Sequence, residues 1–360
     1  MNKEFHRIVN DQARVYYFLL LLACLKVQLL NSSLLGNGKD EISESLIPRE
    51  RSLDVFQTEI RENSYINALK KLFSASESRG GVVLDPENFP SIGIKLKTRM
   101  APGLQVSNRF LDAVLDILRS RGYSSEQIFL ADRDSSSLIN AGFYSTNRKY
   151  NIYRNHLVFS SSDERYYNKE WYYDSSMPPS LHDRTRFFID FPFNRERRLQ
   201  EERKSYLPSL LFLKNVFWIN LAVAVDSINI GIDGAAANVS TGAISNYNRF
   251  LDRGTIAPAT VTEILAIPEL WDKRTYSIID LSRFQFANGG QFDAEFIAGV
   301  PLLLLSENPI SLDRFVLPFL NKERKKMGLT KRNEEDVLLF KYASEIGLGD
   351  VKNAKVFNVK

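Results

Sequence analysis

Short apolar runs alternate with amphipathic segments over most of the chain. Residues 91–96 and 127–131 each have the apolar character of a short buried strand. Between them, apolar residues recur at helical spacing from Phe110 to Leu118, and Gly122 is the residue type that commonly follows the end of a helix. A strand, a helix and a second strand in this order pair the two strands in parallel. We therefore expect a parallel sheet in this part of the chain.

Three later apolar runs extend the same pattern. Residues 216–221, 276–280 and 301–305 are mainly apolar throughout, rather than alternating between apolar and polar positions. Strands of this kind are covered by helices on both faces of their sheet. The sequence thus predicts an α/β fold in which a mostly parallel sheet is flanked by helices. A single domain over residues 81–352 accounts for all of these runs.

The residues before this domain, 34–80, are predicted to form a linker and an amphipathic helix. Residues 31–50 are polar and contain glycine, serine and proline, which is typical of a linker. Apolar residues then recur at helical spacing as far as Phe73. We expect one helix over residues 53–73.

A segment of different composition, at about residues 144–206, is predicted to be an insertion in the domain. It is rich in tyrosine and arginine, with aromatic clusters at 166–167 and 171–173. Long excursions of this kind tend to be lids or binding loops, and exposed aromatic rings can stack on a sugar or a base. The same rings can also form a small satellite core, so both interpretations stay open.

The first 33 residues fit a signal peptide or a membrane anchor. An uninterrupted apolar run at 15–22 follows three basic residues and is shorter than a full membrane span, unless it continues to Leu30. The sequence at 21–24 also resembles a lipoprotein box, in which Cys24 would be lipidated. A buried N-terminal helix of a cytosolic protein is the alternative. We expect an exported or membrane-anchored protein of a bacterial periplasm or cell envelope.

The overall composition excludes several classes of function. Against 43 Asp and Glu residues there are 47 Lys and Arg residues, so the formal net charge is only +4. This surplus is too small to predict a nucleic-acid partner. Since Cys24 is the only cysteine, the chain cannot form an intrachain disulfide or ligate an iron–sulfur cluster by itself. Three scattered histidines likewise predict no histidine-rich metal site.

Two carboxylates, Asp132 and Asp134, follow the predicted strand at 127–131 in an Asp-x-Asp spacing. Ligand sites of α/β sheets lie beyond the carboxyl ends of the strands, and paired oxygens there suit a divalent cation such as Mg²⁺. Glycosyltransferases use this spacing to hold a metal ion. Alternatively, Arg133 neutralises the pair and the serines that follow begin a helix.

Three cations alternate just after the first predicted strand. In an extended backbone Lys95, Lys97 and Arg99 share one face. A row of cations at a strand end favours either an anion site or a solvated edge. Further along, the small residues of 231–242 allow close backbone approach, but their order matches neither a P-loop nor a dinucleotide-binding motif.

Seven short segments occur in an order that resembles a bacterial and archaeal family called domain of unknown function 362. The resemblance lies in this order over residues 85–352, since each match alone is weak. The segments are Ile-Lys at 94–95, Leu-Ala-Asp at 130–132, an asparagine-containing strand at 217–222, Gly-Ala-Ala-Ala-Asn at 234–238, Ile-Ile-Asp at 278–280, a Ser-x-Asn-Pro-x-x-x-Asp pattern at 306–313 and Gly-Leu-Gly at 347–349.

The resemblance and the strand-end positions together imply one ligand site. Lys95 would pair with an anionic group, while Asp132 and Asp280 would hold a cation or the hydroxyl groups of a ligand. The expected ligand-binding residues are Lys95, Asn220, Asn238 and Asp280, and the expected metal ligands are Asp132 and Asp134.

The chain also departs from the family pattern. Ala237 stands where the family has a lysine, and Asn308 stands where it has an aspartate. Many relatives carry ferredoxin-like cysteines, and the predicted domain has none. No cofactor other than a divalent cation is therefore expected.

Three hypotheses for function follow from these observations. The first is an exported bacterial α/β protein with a small-ligand or divalent-metal site. The second is a metal-dependent transferase acting on sugars or phosphorylated substrates, which rests on the Asp-x-Asp pair and the aromatic insertion. The third is a non-catalytic envelope protein that binds a partner through the tyrosine-rich segment. The expected partners are a small molecule or an envelope protein, with membrane association through the N-terminus.

Overall fold

The computed structural model describes residues 50–144, 151–251, 253–272 and 275–360, which form strands and helices in alternation. The strands are β1 (Val55–Glu59), β2 (Ser91–Lys95), β3 (Ile128–Ala131), β4 (Ile152–Tyr153), β5 (His156–Phe159), β6 (Tyr167–Asp174), β7 (Lys204–Pro208), β8 (Val216–Ala222), β9 (Val225–Ser227), β10 (Gly231–Asp233), β11 (Thr275–Asp280), β12 (Phe284–Gln285), β13 (Ile297–Ala298), β14 (Leu302–Ser306) and β15 (Val356–Asn358).

The helices lie between these strands in chain order. They are α1 (Tyr65–Glu77), α2 (Asn108–Ser120), α3 (Ser135–Asn140), α4 (Leu181–Asp190), α5 (Arg195–Arg203), α6 (Ala235–Val239), α7 (Asn248–Leu251), α8 (Ile256–Leu265), α9 (Pro268–Trp271), α10 (Pro309–Lys326) and α11 (Leu338–Glu345).

The predicted strand–helix–strand unit is confirmed as β2, α2 and β3. Ser107 begins α2 because its side chain accepts a hydrogen bond from the backbone N–H of Phe110 at 3.2 Å. The helix then turns its apolar face to the sheet, and Gly122, at a φ of 97°, lets the chain leave it. Strands β2 and β3 pair in parallel over four residues.

A nine-stranded sheet confirms the predicted α/β class. Its order is β15-β1-β14-β11-β8-β2-β3-β5-β4. The central strands β11, β8, β2, β3 and β5 run parallel to one another, whereas β14 pairs antiparallel with both of its neighbours. Smaller sheets of four strands (β10-β9-β12-β13) and two strands (β6-β7) accompany it.

Each face of the main sheet is covered by its own layer of helices. On one face, apolar residues of α1 and α2 pack on residues such as Ile94 and Ile278. On the other face, α6, α8, α10 and α11 pack on residues such as Ala222 and Ile279. Because side chains alternate across a strand, neighbouring residues of β11 enter different cores. This two-sided burial explains the continuous apolar runs.

The predicted helix over 53–73 is wrong in its first part. Residues 55–59 form β1, which lies between β14 and β15, and the α-helix begins only at Tyr65, after a short 3₁₀ helix at Arg61–Asn63. Val55 and Phe56 are buried on opposite faces of the sheet, so both are apolar without following a helical period. The helix α1 starts at Ser64, whose side chain accepts from the backbone of Asn67.

The folded domain extends beyond the predicted limits of 81 and 352. Strands β1 and β15 belong to the main sheet, and the described residues fall in one compact unit, Pro48–Lys360. The predicted insertion at 144–206 also needs correction, because β4 and β5 complete the edge of the main sheet. Its remaining part is the β6-β7 hairpin with α4 and α5 between the two strands. Tyr173 and Met177 from this hairpin pack with Phe250 in a satellite core.

The predicted signal peptide or anchor, with Cys24, lies outside the described residues, as do residues 145–150 of the predicted insertion. Within the described ranges, none of the helices has both the length and the apolar character needed to cross a bilayer.

Candidate functional site

Polar side chains form a row across the middle of the main sheet. Lys95 of β2 is the register partner of Asn220 in β8, which in turn is the partner of Ser277 in β11. Partners on adjacent parallel strands direct their side chains to the same face. All three side chains are buried, so each needs a polar partner.

Lys95 is the centre of this arrangement. Its ammonium group donates to Asp132 Oδ1 at 2.6 Å, to Asn238 Oδ1 at 3.0 Å and to the carbonyl oxygen of Leu96 at 2.8 Å. These three acceptors use all three of its protons. Burial lowers the pKa of Lys95, and the neighbouring Asp132 opposes that effect.

Asp132 lies at the carboxyl end of β3 and is equally well satisfied. Its Oδ2 accepts from the backbone N–H of Thr98 at 2.9 Å and from the Thr98 hydroxyl at 2.6 Å. Its Oδ1 accepts from the backbone N–H of Arg133 at 2.7 Å in addition to Lys95. Asp132 thus joins the loop after β2 to the loop after β3.

Asn238 of α6 links Lys95 to the rest of the row. Its amide nitrogen donates to Asn220 Oδ1 at 2.7 Å. The amide nitrogen of Asn220 donates to Ser277 Oγ at 3.0 Å and to the carbonyl oxygen of Ala235 at 2.9 Å. We call Lys95, Asp132, Asn220, Asn238 and Ser277 the polar network. The structure thereby brings four of the six predicted site residues together.

The short helix α6 is held in place by a buried carboxylate from α10. Asp313 accepts from the backbone N–H groups of Ala235 at 2.6 Å and Ala236 at 2.9 Å. Gly234 is required here, since a Cβ at that position would lie 2.0 Å from Asp313 Oδ1. Burial raises the pKa of Asp313 to about 7, although the two backbone hydrogen bonds act in the opposite direction.

The other two cations of the predicted row share one carboxylate. Lys97 contacts Asp233 Oδ1 at 2.7 Å, and Arg99 donates to Asp233 Oδ2 at 2.6 Å. Lys97 also donates to the backbone carbonyl of Asp233. Burial alone would raise the pKa of the Asp233 carboxyl, but Lys97 and Arg99 outweigh it and hold the pKa at about 2. Asp233 is therefore charged throughout the physiological range.

A cleft of about 470 Å³, including its open mouth, lies beside the polar network. Its floor contains Asp132 and Asn238, and Arg99 and Arg133 line its wall. The Arg133 guanidinium lies 3.3 Å from the ring centroid of Tyr247 and donates through Nη1 to the carbonyl oxygen of Thr241. This stacking fixes the plane of the Arg133 side chain.

Both arginines have donors left over. Arg99 uses only Nη2, for Asp233, and Arg133 uses only Nη1 of its guanidinium group. Among the described residues, Nε and the second terminal nitrogen of each arginine have no hydrogen-bond acceptor. Asp132 and Asp233 of the cleft are paired with cations and Asp134 is hydrogen-bonded to serines, whereas these N–H groups are available to an anion.

The structure keeps the remaining two predicted residues apart from the network. Asp134 begins α3, where its carboxylate accepts from Ser136 and from the backbone of Ser137 at 3.1 Å. Burial raises the pKa of Asp134, but these serine hydrogen bonds outweigh it and the pKa is lowered. Asp134 lines the cleft, yet it shares no hydrogen-bond partner with Asp132 in the described structure.

Asp280 lies on the opposite face of the sheet. It is three residues beyond Ser277 in β11, so its side chain enters the core that contains Ile278. There it accepts from the Tyr65 hydroxyl and from the backbone N–H of Ser282, both at 2.8 Å. Burial raises the pKa of Asp280. The predicted site therefore does not include it.

In the described part of the chain, no three His, Cys, Asp or Glu side chains form a group able to hold a metal ion. Asp132 and Asp134, the predicted metal ligands, each have their own protein partners. Thr98, Asp233 and Ser277 are not among the predicted site residues, because the sequence has no local motif for them. In the sequence, the alternation of Lys97 and Arg99 is the one pattern that indicates residues in the wall of the cleft.

Comparisons with known proteins add little to this geometry. No protein family and no curated protein matches the chain. Among solved structures, a crystallised protein from Thermotoga maritima is similar at 12% identity and a TM-score of 0.39. The match covers 73% of this chain and 59% of the Thermotoga protein, so the chain spans less than two thirds of that protein's length. Any function must be inferred from the site itself.

Proposed function

We propose that the protein binds a small anionic ligand, bearing a carboxylate or phosphate group, in the cleft beside the polar network. The observation that supports this is the pair of arginines, Arg99 and Arg133, whose unused N–H groups line a cleft with a neutralised floor. A guanidinium group binds a carboxylate or phosphate through two parallel hydrogen bonds, and such charge-assisted bonds are the strong ones.

In this proposal, the polar network does not bind the anion but holds the residues of the cleft in position. The three protons of Lys95 are already donated, so Lys95 positions Asn238 and Asp132 rather than binding the anion itself. Asp233 likewise fixes Lys97 and Arg99 against the cleft. A floor held by this many hydrogen bonds keeps the arginines in place before the ligand arrives, which lowers the entropic cost of binding.

Calorimetric titration of the full chain with inorganic phosphate and with citrate tests the proposal. We expect saturable binding of at least one of them, weakened about 10- to 100-fold in Arg99→Gln and Arg133→Gln, because each loses charge-assisted hydrogen bonds. Arg61→Gln is the matched control, since Arg61 is a solvent-exposed arginine next to Glu59. Its affinity should equal that of the unmodified chain.

Two results would count against anion binding. One is an Arg133→Gln variant that binds both anions as tightly as Arg61→Gln does. The other is a shift of melting temperature by Mg²⁺ or Mn²⁺ alone that disappears in Asp132→Asn. The second result would favour the divalent-metal site and the metal-dependent transferase, which both stay predictions.

We also propose that the chain is an exported relative of the family domain of unknown function 362. A contact between two separate matching segments supports this: Asp313 of the 306–313 segment accepts hydrogen bonds from the backbone of Ala235 and Ala236 in the 234–238 segment. The apolar run at 15–22 supports export. Fractionation of the producing cells and the intact mass of the isolated chain will establish whether residues 1–33 are removed, lipidated at Cys24 or kept.

A second candidate function is binding of an envelope protein through the insertion. Phe188, Ile189 and Phe193, at the end of α4 and in the turn before α5, are between 49% and 100% exposed. Such a group of exposed apolar side chains is typical of an interaction surface. The triple replacement of these residues by serine should abolish capture of an envelope partner by the full chain. Ile228→Ser, at an equally exposed isolated position, is the control and should not.

A further inference from the structure

Arg133, which lines the cleft, keeps one complete edge of its guanidinium group free. Its Nη1 donates to the carbonyl oxygen of Thr241, which leaves Nε and Nη2, the two donors that lie side by side. The same two nitrogens of Arg203 donate to the two oxygens of Asp174, at 3.0 Å and 2.8 Å. In the described structure neither free nitrogen of Arg133 is fully buried, so this edge is in contact with solvent. It fits one carboxylate group.

Arg99 supplies a second positive charge to the cleft. It shares Asp233 with Lys97, so two cations lie against one carboxylate. Asp313 also acts on Lys97, but it adds only part of a negative charge at pH 7 because burial raises its pKa to about 7. The Arg99 side chain is 29% exposed, and its Nε and Nη1 have no acceptor in the described part of the chain. Arg99 can therefore bind a second acidic group.

Asp134 is the one carboxylate lining the cleft that pairs with no cation in the described structure. Asp132 and Asp233 pair with lysine or arginine, whereas the Asp134 carboxylate accepts only from Ser136 and Ser137. Its Oδ1 accepts a single hydrogen bond, from the Ser136 hydroxyl at 3.0 Å, in an exposed position. A carboxylate oxygen can accept two hydrogen bonds. Asp134 Oδ1 is therefore available to a cationic group of a ligand.

The neighbouring charges of Arg133 and Asp134 do not satisfy each other. Arg133 acts on Asp134 through its charge but donates no hydrogen bond to it. The cleft therefore contains guanidinium edges and a carboxylate oxygen that are both open to a ligand. A ligand with acidic groups alone would bind the arginines and be repelled by Asp134. An ammonium group on the same molecule would turn this repulsion into a charge-assisted hydrogen bond.

We propose that the ligand of the cleft is an acidic amino acid, whose two carboxylates bind Arg99 and Arg133 and whose ammonium group donates to Asp134. The net charge of such a ligand is negative, as the anion cleft requires. This inference rests on the anion binding proposed above and names the class of its ligand.

Calorimetric titration of the full chain at pH 7 compares three probes of nearly equal size. L-Glutamate has all three charged groups, glutarate lacks the ammonium group, and L-glutamine has an amide in place of one carboxylate. We expect glutamate to bind about 10-fold more tightly than either, because each of the others loses one charge-assisted contact. L-Aspartate, succinate and L-asparagine repeat the comparison with one methylene fewer, and the expected order must hold in at least one series.

Asp134→Asn distinguishes a direct contact from a structural effect. It should weaken binding of the amino acid about 10-fold, whereas the diacid without an ammonium group should bind as tightly as before or more tightly, because the repulsion is removed. Asparagine still caps α3, so the cleft should keep its shape. Asp190→Asn, at an exposed aspartate of α4 outside the cleft, is the matched control and should change neither affinity.

Three results overturn the acidic amino acid as ligand. They are no binding in either series, a diacid or amide that binds as tightly as the amino acid in both series, and an equal loss for amino acid and diacid in Asp134→Asn. If amino acid and diacid bind equally and both are weakened in Arg133→Gln, the anion site stands and only its ligand class is wrong. If neither is weakened in Arg133→Gln, the anion site itself is wrong.

Discussion

Replacement of Asp132 by asparagine is expected to lower the free energy of unfolding by about 3–5 kcal/mol, as for other buried ion pairs that lose one partner. The Lys95–Asp132 pair is buried on both sides, with 5% and 9% of the two side chains exposed. An amide at position 132 removes the counter-charge of Lys95, so folding must either bury an unpaired ammonium or remove its proton, and both cost free energy. Urea unfolding at pH 7 measures the loss.

Asp134→Asn is the matched control, because it changes the neighbouring carboxylate of the same Asp-x-Asp spacing. Asparagine caps a helix as well as aspartate does, so α3 should keep its start and the change should stay within about 0.5 kcal/mol. The double variant Lys95→Met plus Asp132→Asn should recover part of the loss, since no buried charge remains. Equal losses in Asp132→Asn and Asp134→Asn would show that the ion pair is not the cause.

The pH dependence of Asp132→Asn supplies a second check. In Asp132→Asn, Lys95 has no counter-ion, so its side chain is neutral in the folded state. In the unfolded chain the same side chain is protonated. The unfolded state then holds more protons than the folded state, so the stability of the variant rises with pH. The gap between the variant and the unmodified chain is therefore expected to narrow from pH 7 to pH 9. A constant gap would mean that Lys95 stays protonated in the variant.

Three members of the polar network were predictable from the sequence for a clear physical reason. Lys95 and Asn220 lie in apolar strands of a parallel sheet, Asp132 directly follows another such strand, and the carboxyl ends of these strands meet at one edge. The same rule gave a wrong prediction for Asp280. It predicts at which end of a strand a residue lies, but not on which face of the sheet its side chain lies. The alternation of side chains along β11 places Ser277 on the face of the network and Asp280 on the other.

The remaining features depend on contacts between residues far apart in the chain. Strand β1 is defined by its pairing with β14 and β15, nearly 250 and 300 residues later, and its own five residues have no helical or alternating period. The pairing of Asp233 with Lys97 and Arg99 spans more than 130 positions. Arg133 and Tyr247, which stack on each other, are also more than 100 positions apart. Local sequence patterns do not predict contacts between residues so far apart in the chain. The contacts that form the wall of the cleft could therefore be identified only from the structure.

Acid is expected to destabilise the protein between about pH 4 and pH 2 through Asp233. The ordinary pKa of an aspartate is 3.8, and Lys97 and Arg99 bring the folded-state pKa of Asp233 to about 2. The unfolded chain thus binds more protons than the folded chain in this range, and stability falls as the pH falls. The carboxylate contributes about 2 kcal/mol, which is fully present above pH 4. Urea unfolding at a series of pH values measures this slope.

Asp233→Asn should remove the contribution of Asp233 to the slope below pH 4, because asparagine does not titrate. It should also lower stability at pH 7, where Lys97 and Arg99 lose their shared counter-charge. The curves of the variant and the unmodified chain are therefore expected to converge as the pH approaches 2. Curves that stay parallel from pH 7 to pH 2 would contradict the low pKa of Asp233.

Asp313 is expected to change the stability of the protein in a different pH range from Asp233. Its folded-state pKa of about 7 is higher than the ordinary 3.8, so the folded chain holds the extra proton and stability falls as the pH rises from 4 to 7. Asp313→Asn should flatten the curve only in that upper range, whereas Asp233→Asn should flatten it only below pH 4. Because Asp313 caps the helix that carries Asn238, while Asp233 holds Lys97 and Arg99, the two variants test the floor and the wall of the cleft independently.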